Sequence, residues 1–113
     1  MVVLDPGHGG VDPGTIGVSG TYEKYITLAV AKAAKRILEA SGRYRVVLTR
    51  TRDVYVRLRN RFETAHRNKA ELFLSLHADS MPNKKIRGGS IYTLSDKASD
   101  KEAEDLARRE NKS

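Results

Sequence analysis

The chain contains no cysteine among its 113 residues. Disulfide frameworks, thiolate zinc sites and cysteine nucleophiles are therefore excluded, and any bound metal ion must be held by histidine, aspartate or glutamate. The sequence also has no apolar run long enough to span a membrane, and no basic and then apolar segment opens it as a signal peptide would. We expect any targeting signal to lie upstream of Met1.

Aromatic residues are few, at 6% of the chain, whereas 21 Lys and Arg exceed 14 Asp and Glu to give a formal charge of +7. Such a charge favours anionic surroundings, such as nucleic acid, acidic lipid or an anionic cell-wall polymer, but a solvated surface explains it equally well. The densest basic run, Thr49–Arg61, lacks the repeated aromatic side chains on which single-strand binders stack nucleotides. We therefore expect no nucleic-acid partner.

Strand-like segments recur along the chain and predict a sheet. The β-branched run Val2–Leu4 stops at Asp5-Pro6-Gly7, and Tyr44–Thr49 reads as a second strand. Glu71–His77 is nearly continuous in apolar character, which predicts a strand buried on both faces. The segment "SIYTLS", which starts at Ser90, is expected to be a further strand.

Helix-like segments lie between these strands. In Tyr22–Ser41 a stripe of four apolar residues has helical spacing, and a glycine follows at the expected C-terminal position: Ile26, Val30, Ala33, Ile37, Gly42. Asp53 is a candidate N-cap for a second helix that ends near Lys69, and Ser99 and Glu102 form a capping box for a last one. The order β-α-β-α-β-β-α predicts a single α/β domain over residues 1–113, with a mostly parallel or mixed sheet flanked by helices.

Three residues fall on one edge of this predicted sheet. His8 follows the first strand, His77 closes the third, and Glu23 begins the helix after the first strand. Ligands of open parallel sheets bind at the carboxyl ends of the strands, where these residues lie. Two neutral imidazoles and one carboxylate, with a position left for water, are a ligand set of catalytic zinc in hydrolases.

Each of the three residues has a simpler explanation when it is taken alone. His8 is explained as a turn residue that tolerates an unusual backbone angle, and His77 as a core histidine with a satisfied side chain. Glu23 is explained by the favourable interaction of a carboxylate with the positive end of a helix dipole. Their convergence on one edge nevertheless favours a metal site.

The glycine-rich loop "GHGGVDPG" does not match a phosphate-binding pattern, because it lacks the Lys-Ser/Thr of a P-loop and the third glycine of a dinucleotide fingerprint. Small residues such as Gly9 are better explained as permitting a sharp turn and leaving space for a substrate. Asp5 and Asp12 either orient His8 or form local turns. The arginines Arg50 and Arg61 either pair with carboxylates at the sheet edge, contact an anionic substrate or lie on the surface.

The motifs of the chain, taken in order, resemble those of zinc-dependent N-acetylmuramoyl-L-alanine amidases of bacterial cell walls. They are "VVLDPGHGGVDPGTIG", "YEKYITLAVAKAAKRILEASG", "VVLTRTRD", "RLRNRFETA", "ELFLSLHADS" and "GGSIYTLS". The resemblance covers essentially the whole chain and implies that His8, Glu23 and His77 bind one Zn²⁺. It also implies hydrolysis of the amide between N-acetylmuramic acid and L-alanine in peptidoglycan, in the periplasm or outside the cell.

The C-terminal segment "DKASDKEAEDLARRENKS", Asp96–Ser113, resembles the cell-division branch of this family. This resemblance implies a role in daughter-cell separation and an activator protein that displaces a regulatory insert. The general acid/base glutamate of the family has no counterpart before Ser113, so we expect it beyond this residue and expect the sheet to be incomplete at that end. Asp79 lies near the site and is a candidate to contact the substrate or support the site, but the resemblance gives its position no role as a substitute for that glutamate. A non-catalytic or degenerate amidase-like module that binds peptidoglycan is the alternative, and we expect a monomer in either case.

Overall fold

The computed structural model of the chain describes residues 1–79, 85, 87–93 and 100–111. The elements follow the order β1 (Val2–Pro6), α1 (Glu23–Ala40), β2 (Val46–Leu48), α2 (Leu58–Arg67), β3 (Leu72–Leu76) and α3 (Asp100–Asn111). The three strands form one parallel sheet in the order β2-β1-β3. The predicted α/β class is therefore confirmed.

The central strand β1 is buried along its whole length. It pairs with both neighbours, so that Val3 lies beside Val47 on one side and beside Phe73 on the other. A small apolar cluster on one face is formed by β1, β2 and α1, and its members are Val2, Leu4, Val46, Ala34, Leu38 and Leu48. The carboxyl end of β1, the start of α1 and the end of β3 then meet at one edge of the sheet.

Helix α1 confirms the predicted segment to within one residue at each end, but it packs through a different face. The buried residues are Glu23, Lys24, Thr27 and Ala31. The apolar stripe whose spacing indicated the helix is largely exposed, with Ile26 at 41%, Val30 at 49% and Ile37 at 72%. The polar residues of the buried face find partners at the sheet edge, which lowers the cost of burying them.

The predicted N-cap of the second helix was wrong. Helix α2 begins at Leu58, with Arg57 in the N-cap position. The Asp53 carboxylate is used elsewhere, because it accepts hydrogen bonds from the backbone N–H of Gly10 at 2.7 Å and from Lys24 Nζ at 2.9 Å. Asp53 thus ties the glycine-rich loop to the segment that precedes α2.

Strand β3 does not have the burial that its apolar sequence predicts. Leu72 is 52% exposed and Leu74 is 41% exposed, because in the described part of the chain β3 pairs with β1 alone and forms an edge of the sheet. The expected strand at "SIYTLS" is not formed by residues 90–93, and residues 94 and 95 lie outside the described residues. Ser99 of the expected capping box also lies outside them.

Candidate metal centre

Three loops or element ends bring His8, Glu23 and His77 together. His8 lies in the loop after β1, Glu23 is the first residue of α1, and His77 directly follows β3. The Nε2 atom of His8 lies 3.1 Å from Glu23 Oε2, and the Nδ1 atom of His77 lies 3.2 Å from the same oxygen. The two ring nitrogens are 3.3 Å apart. These three residues form a group that could hold a metal ion.

The distances and the chemistry of these donors fit a small tetrahedral cation. Ligand atoms placed about 2.0–2.1 Å from a tetrahedral ion are about 3.3 Å from one another, close to the three separations given above. Each of the three atoms is a potential metal ligand, and three such atoms facing one another repel unless a proton or a cation lies between them. The residue set therefore fits a metal such as Zn²⁺.

The protein around His8 fixes which ring nitrogen faces Glu23. Asp12 Oδ2 lies 2.9 Å from Nδ1 of His8, and a carboxylate only accepts hydrogen bonds, so Nδ1 carries the proton. In the neutral ring, Nε2 is then the atom with the free lone pair. His8 is 1% exposed and has a φ of 66°, so it is both a strained turn residue and a buried member of the site.

Glu23 is held as a buried carboxylate by donors on both of its oxygens. The backbone N–H of Thr15 donates to Oε1 at 3.0 Å and that of Ala78 donates to Oε2 at 2.9 Å. Burial alone raises the pKa of this carboxyl, but hydrogen bonds with His77 and His8 outweigh it and leave the pKa far below its ordinary value. Glu23 is thus a charged carboxylate at neutral pH.

The pKa of His8 responds to the same contacts in the opposite direction. Burial lowers the pKa of the imidazole, but hydrogen bonds with Glu23 and Asp12 and the charges of these carboxylates raise it above its ordinary value overall. When the His8 ring takes up a second proton, on Nε2, that proton lies between the ring and Glu23 and neutralises part of the carboxylate charge. A metal ion at this position must displace that proton.

Two glycines leave the volume in which these side chains pack. A Cβ atom added to Gly14 would lie 2.7 Å from Cδ2 of His8 and 2.8 Å from Cβ of Glu23. A Cβ atom added to Gly7 would lie 2.5 Å from Cε1 of His77. Gly9 serves the backbone differently: it has a φ of 135°, and a Cβ there would clash with the carbonyl oxygen of Val54.

Arg50 and Arg61 are buried beneath the loop that carries His8, with exposures of 3% and 2%. Arg50 donates to the carbonyl oxygens of Pro6 and Gly7, and Arg61 donates to those of Pro6 and His8. Arg61 also forms an ion pair of 2.8 Å with Asp5. Neither arginine is a surface residue, and both bind the backbone of the loop rather than facing a substrate.

The remaining predicted site residues lie around this centre. Asp5 does not orient His8; its carboxylate accepts hydrogen bonds from Thr49, Arg61 and Ser75. Asp79 is exposed beyond His77 and is hydrogen-bonded to Glu110 of α3. Burial raises the pKa of the Glu110 carboxyl, and the contact with Asp79 raises it further.

Sequence reasoning missed several residues that support the site. Ser75 is two residues before His77 on β3, and its hydroxyl lies 3.1 Å from Nε2 of that ring. The two-residue period of a strand places both on one face, a signal that was available in the sequence. Lys24 was missed as well, although it is buried and donates to the carbonyl oxygen of Gly10.

A parallel α/β sheet that carries two imidazoles and a carboxylate at its carboxyl edge defines a class of protein with a candidate mononuclear metal site. Comparison with known proteins then identifies the family. The model of the family described as N-acetylmuramoyl-L-alanine amidase matches residues 2–113, and the chain belongs to this family.

Individual relatives agree with this assignment. The chain is 46% identical over 113 residues to the N-acetylmuramoyl-L-alanine amidase AmiA of Salmonella typhimurium, an alignment that covers 99% of this chain and 39% of AmiA. The solved structure of the amidase AmiC2 of Nostoc punctiforme has 46% identity and a TM-score of 0.69, with 73% of this chain and 45% of that one covered. An amidase structure from Clostridium difficile 630 has 33% identity and a TM-score of 0.71, with 91% and 56% covered. The chain thus spans less than half the length of AmiA.

Proposed function

We propose that the chain is part of a zinc-dependent amidase in which His8, Glu23 and His77 bind one Zn²⁺. The observation that carries this proposal is the convergence of three potential ligand atoms, one from each residue, at separations of 3.1–3.3 Å. The proposed substrate is peptidoglycan, and the bond cleaved is the amide between the lactyl group of N-acetylmuramic acid and L-alanine. Membership of the amidase family supports both.

A bound zinc ion would supply a Lewis acid that polarises the amide carbonyl and lowers the pKa of a water molecule. The residues of the chain prepare the place for this chemistry. Asp12 keeps the proton of His8 on Nδ1, and the backbone N–H groups of Thr15 and Ala78 keep the Glu23 carboxylate in position. Arg50 and Arg61 hold the loop after β1, so that the site is organised before the substrate binds.

We also propose that residues 1–113 belong to one catalytic domain that acts outside the cytoplasmic membrane, where peptidoglycan lies. The resemblance of the C-terminal segment to the cell-division branch supports a role in daughter-cell separation and an activator protein as a partner. No helix in the described stretches of the chain is long and apolar enough to cross a membrane. The proposed catalytic unit is a monomer, which sedimentation of the purified chain would test.

We expect the purified, metal-stripped chain to bind about one Zn²⁺ per molecule, and we expect His77→Ala to remove most of the affinity. The alanine variant leaves one imidazole and one carboxylate, too few ligands for a stable zinc site. Calorimetric titration measures both the stoichiometry and the affinity. His66→Ala is the matched control, because His66 is the one histidine of the sequence outside the proposed site and is exposed on α2.

Equal zinc binding by the His77→Ala and His66→Ala variants would contradict the proposed site. Hydrolysis is tested separately, by measuring new L-alanine amino groups released from purified peptidoglycan with and without a chelator. A different result would favour a charge-driven binding module: the chain adheres to peptidoglycan without hydrolysing it, added salt weakens the adhesion, and the chelator does not change it. If residues 1–113 bind zinc but release no amino groups, the same assay on a chain extended past Ser113 tests whether the general acid/base glutamate expected there is required for hydrolysis.

We expect zinc affinity to fall as the pH is lowered through the pKa of His8. The reason is competition: below this pKa the imidazole carries the proton that Zn²⁺ must displace, and hydrogen bonds with Glu23 and Asp12 raise the pKa above its ordinary value of 6.5. Titrations in two buffers of different ionisation enthalpy count the protons released. Affinity independent of pH across this range, with no protons released, would contradict the assignment of His8 as a ligand.

A further inference from the structure

A relay of two hydrogen bonds runs from the buried Asp5 carboxylate through the hydroxyl of Ser75, an exposed residue of β3, to His77. Nε2 of His77 lies 3.1 Å from the Ser75 hydroxyl, and the same hydroxyl lies 2.7 Å from Oδ2 of Asp5. Asp5 is 1% exposed, and its second oxygen accepts hydrogen bonds from Thr49 at 2.7 Å and from Arg61 at 2.8 Å. Strand pairing supports this arrangement, because Asp5 and Ser75 are register partners in β1 and β3.

The direction of each hydrogen bond follows from the donors available. The Asp5 carboxylate only accepts, so the single hydroxyl proton of Ser75 must point towards Asp5. The Ser75 oxygen then accepts the hydrogen bond from His77, which requires a proton on Nε2. When the ring binds a cation, its lone pair is therefore on Nδ1, the atom that lies 3.2 Å from Glu23. Without a cation, Nδ1 instead donates a hydrogen bond to that carboxylate.

We propose that Asp5 and Ser75 are positioning residues that select the His77 tautomer able to bind a metal through Nδ1. This inference rests on the proposed zinc site, but it adds residues that have no contact with the ion. Ser75 acts directly on the ring, and Asp5 acts through Ser75. The ion pair with Arg61 keeps Asp5 in place as the acceptor that sets the direction of both hydrogen bonds.

The proposal makes an unusual prediction for Asp5→Asn. The amide has one acceptor and one donor group, and the acceptor is required next to Arg61 and Thr49. The amide nitrogen therefore faces Ser75 and donates to its oxygen. The Ser75 proton is then free to point at Nε2 of His77, which reverses the relay and places the ring proton on Nδ1, where the metal should bind.

Zinc affinity of three further variants tests the relay. We expect Ser75→Ala to weaken Zn²⁺ binding by about 10–100-fold, the usual effect of losing a hydrogen-bond partner of a metal-binding histidine, and Ser75→Thr to restore most of the affinity. Thr49→Val is the matched control, because it also removes one hydroxyl from Asp5 but does not connect to His77. We expect this control to bind zinc as the unsubstituted chain does.

The ring proton itself is followed by ¹H and ¹⁵N NMR of the zinc-loaded chain. The expected result is a proton on Nε2 of His77 that exchanges slowly with solvent in the unsubstituted chain and in Thr49→Val, and faster in Ser75→Ala. We expect Asp5→Asn to weaken zinc binding at least as much as Ser75→Ala does. Unchanged zinc affinity in Ser75→Ala, or equally fast exchange of the Nε2 proton with and without the Ser75 hydroxyl, would overturn the relay. Because Asp5→Asn also breaks the ion pair with Arg61, Ser75→Ala decides the question if that variant does not fold.

The two proposals fail in distinguishable ways. An unsubstituted chain that binds no zinc would overturn the proposed metal site and, with it, the relay. A chain that binds zinc equally well with and without the Ser75 hydroxyl would overturn the relay alone.

Discussion

Replacing Arg61 by methionine is expected to lower the free energy of unfolding by about 3–5 kcal/mol, the usual cost of leaving one partner of a buried ion pair unpaired. The side chains of Arg61 and Asp5 are 3% and 2% exposed, so water cannot solvate the carboxylate that remains. Methionine preserves much of the volume of the arginine stem but none of its donors. Urea denaturation of the metal-free chain measures the change.

The expected loss is large because Arg61 satisfies several groups at once. Its guanidinium donates to the carbonyl oxygens of Pro6 and His8 at 2.8 and 3.0 Å, in addition to the Asp5 carboxylate. These carbonyls belong to the loop that follows β1, where a buried acceptor without a donor is costly. The variant should therefore loosen the metal site as well as destabilise the sheet, and zinc affinity should fall with stability.

Arg59→Met is the control for this prediction, since Arg59 is exposed on the same helix. A double variant, Arg61→Met with Asp5→Asn, tests whether the unpaired carboxylate causes the loss of stability. Asp5→Asn should lower the free energy of unfolding less in the Arg61→Met background than in the unsubstituted chain, because the buried carboxylate is already unpaired there. If Arg61→Met were as stable as Arg59→Met, the ion pair would not be the structural anchor described above.

The sequence predicts the layers of the fold better than it predicts their burial. Alternating strand and helix patterns are local features, and they correctly indicate the parallel sheet and the edge at which His8, Glu23 and His77 meet. Helix α1 has two faces with helical spacing, however, and the more apolar one, with Ile26 and Val30, is exposed. The buried face carries Glu23, Lys24 and Thr27, whose partners come from other elements and cannot be read from the helix alone.

The same limit applies to the residues behind the site. Ser75 and His77 share a strand face by simple periodicity, but the register that brings Asp5 beside Ser75 depends on strand pairing across 70 positions of sequence. Arg50 and Arg61 show the same limit, since a basic residue is most often on the surface, whereas these two are buried where backbone carbonyl oxygens accept their hydrogen bonds. Long-range hydrogen bonds, rather than local propensity, decide these positions.

Replacing Gly14 by alanine is expected to damage both stability and zinc binding. The new Cβ atom would lie 2.7–2.8 Å from atoms of His8 and Glu23, two of the three proposed ligands. It would also occupy a backbone with a φ of 69°, which costs a residue with a Cβ about 1–2 kcal/mol. Overpacking of a buried site adds about 1–3 kcal/mol, so the free energy of unfolding should fall by about 2–5 kcal/mol.

Gly20→Ala separates the two contributions. Gly20 has a similar left-handed backbone, with a φ of 85°, but a Cβ there meets nothing within 4 Å. The control should therefore carry the backbone cost of about 1–2 kcal/mol and leave zinc affinity unchanged. In Gly14→Ala the His8 ring cannot move away from the new methyl group freely, because the ring is held between Asp12 and Glu23 at 2.9 and 3.1 Å.

Zinc affinity is the decisive measurement for Gly14. We expect a loss of about 10–100-fold in Gly14→Ala, since displaced ligands are at least as costly as displaced hydrogen-bond partners. Equal zinc affinity in the two alanine variants would mean that the site tolerates a methyl group beside His8 and Glu23, and that their close packing is not required for binding. A loss confined to Gly14→Ala would instead identify this glycine as the residue that leaves room for the metal ligands to converge.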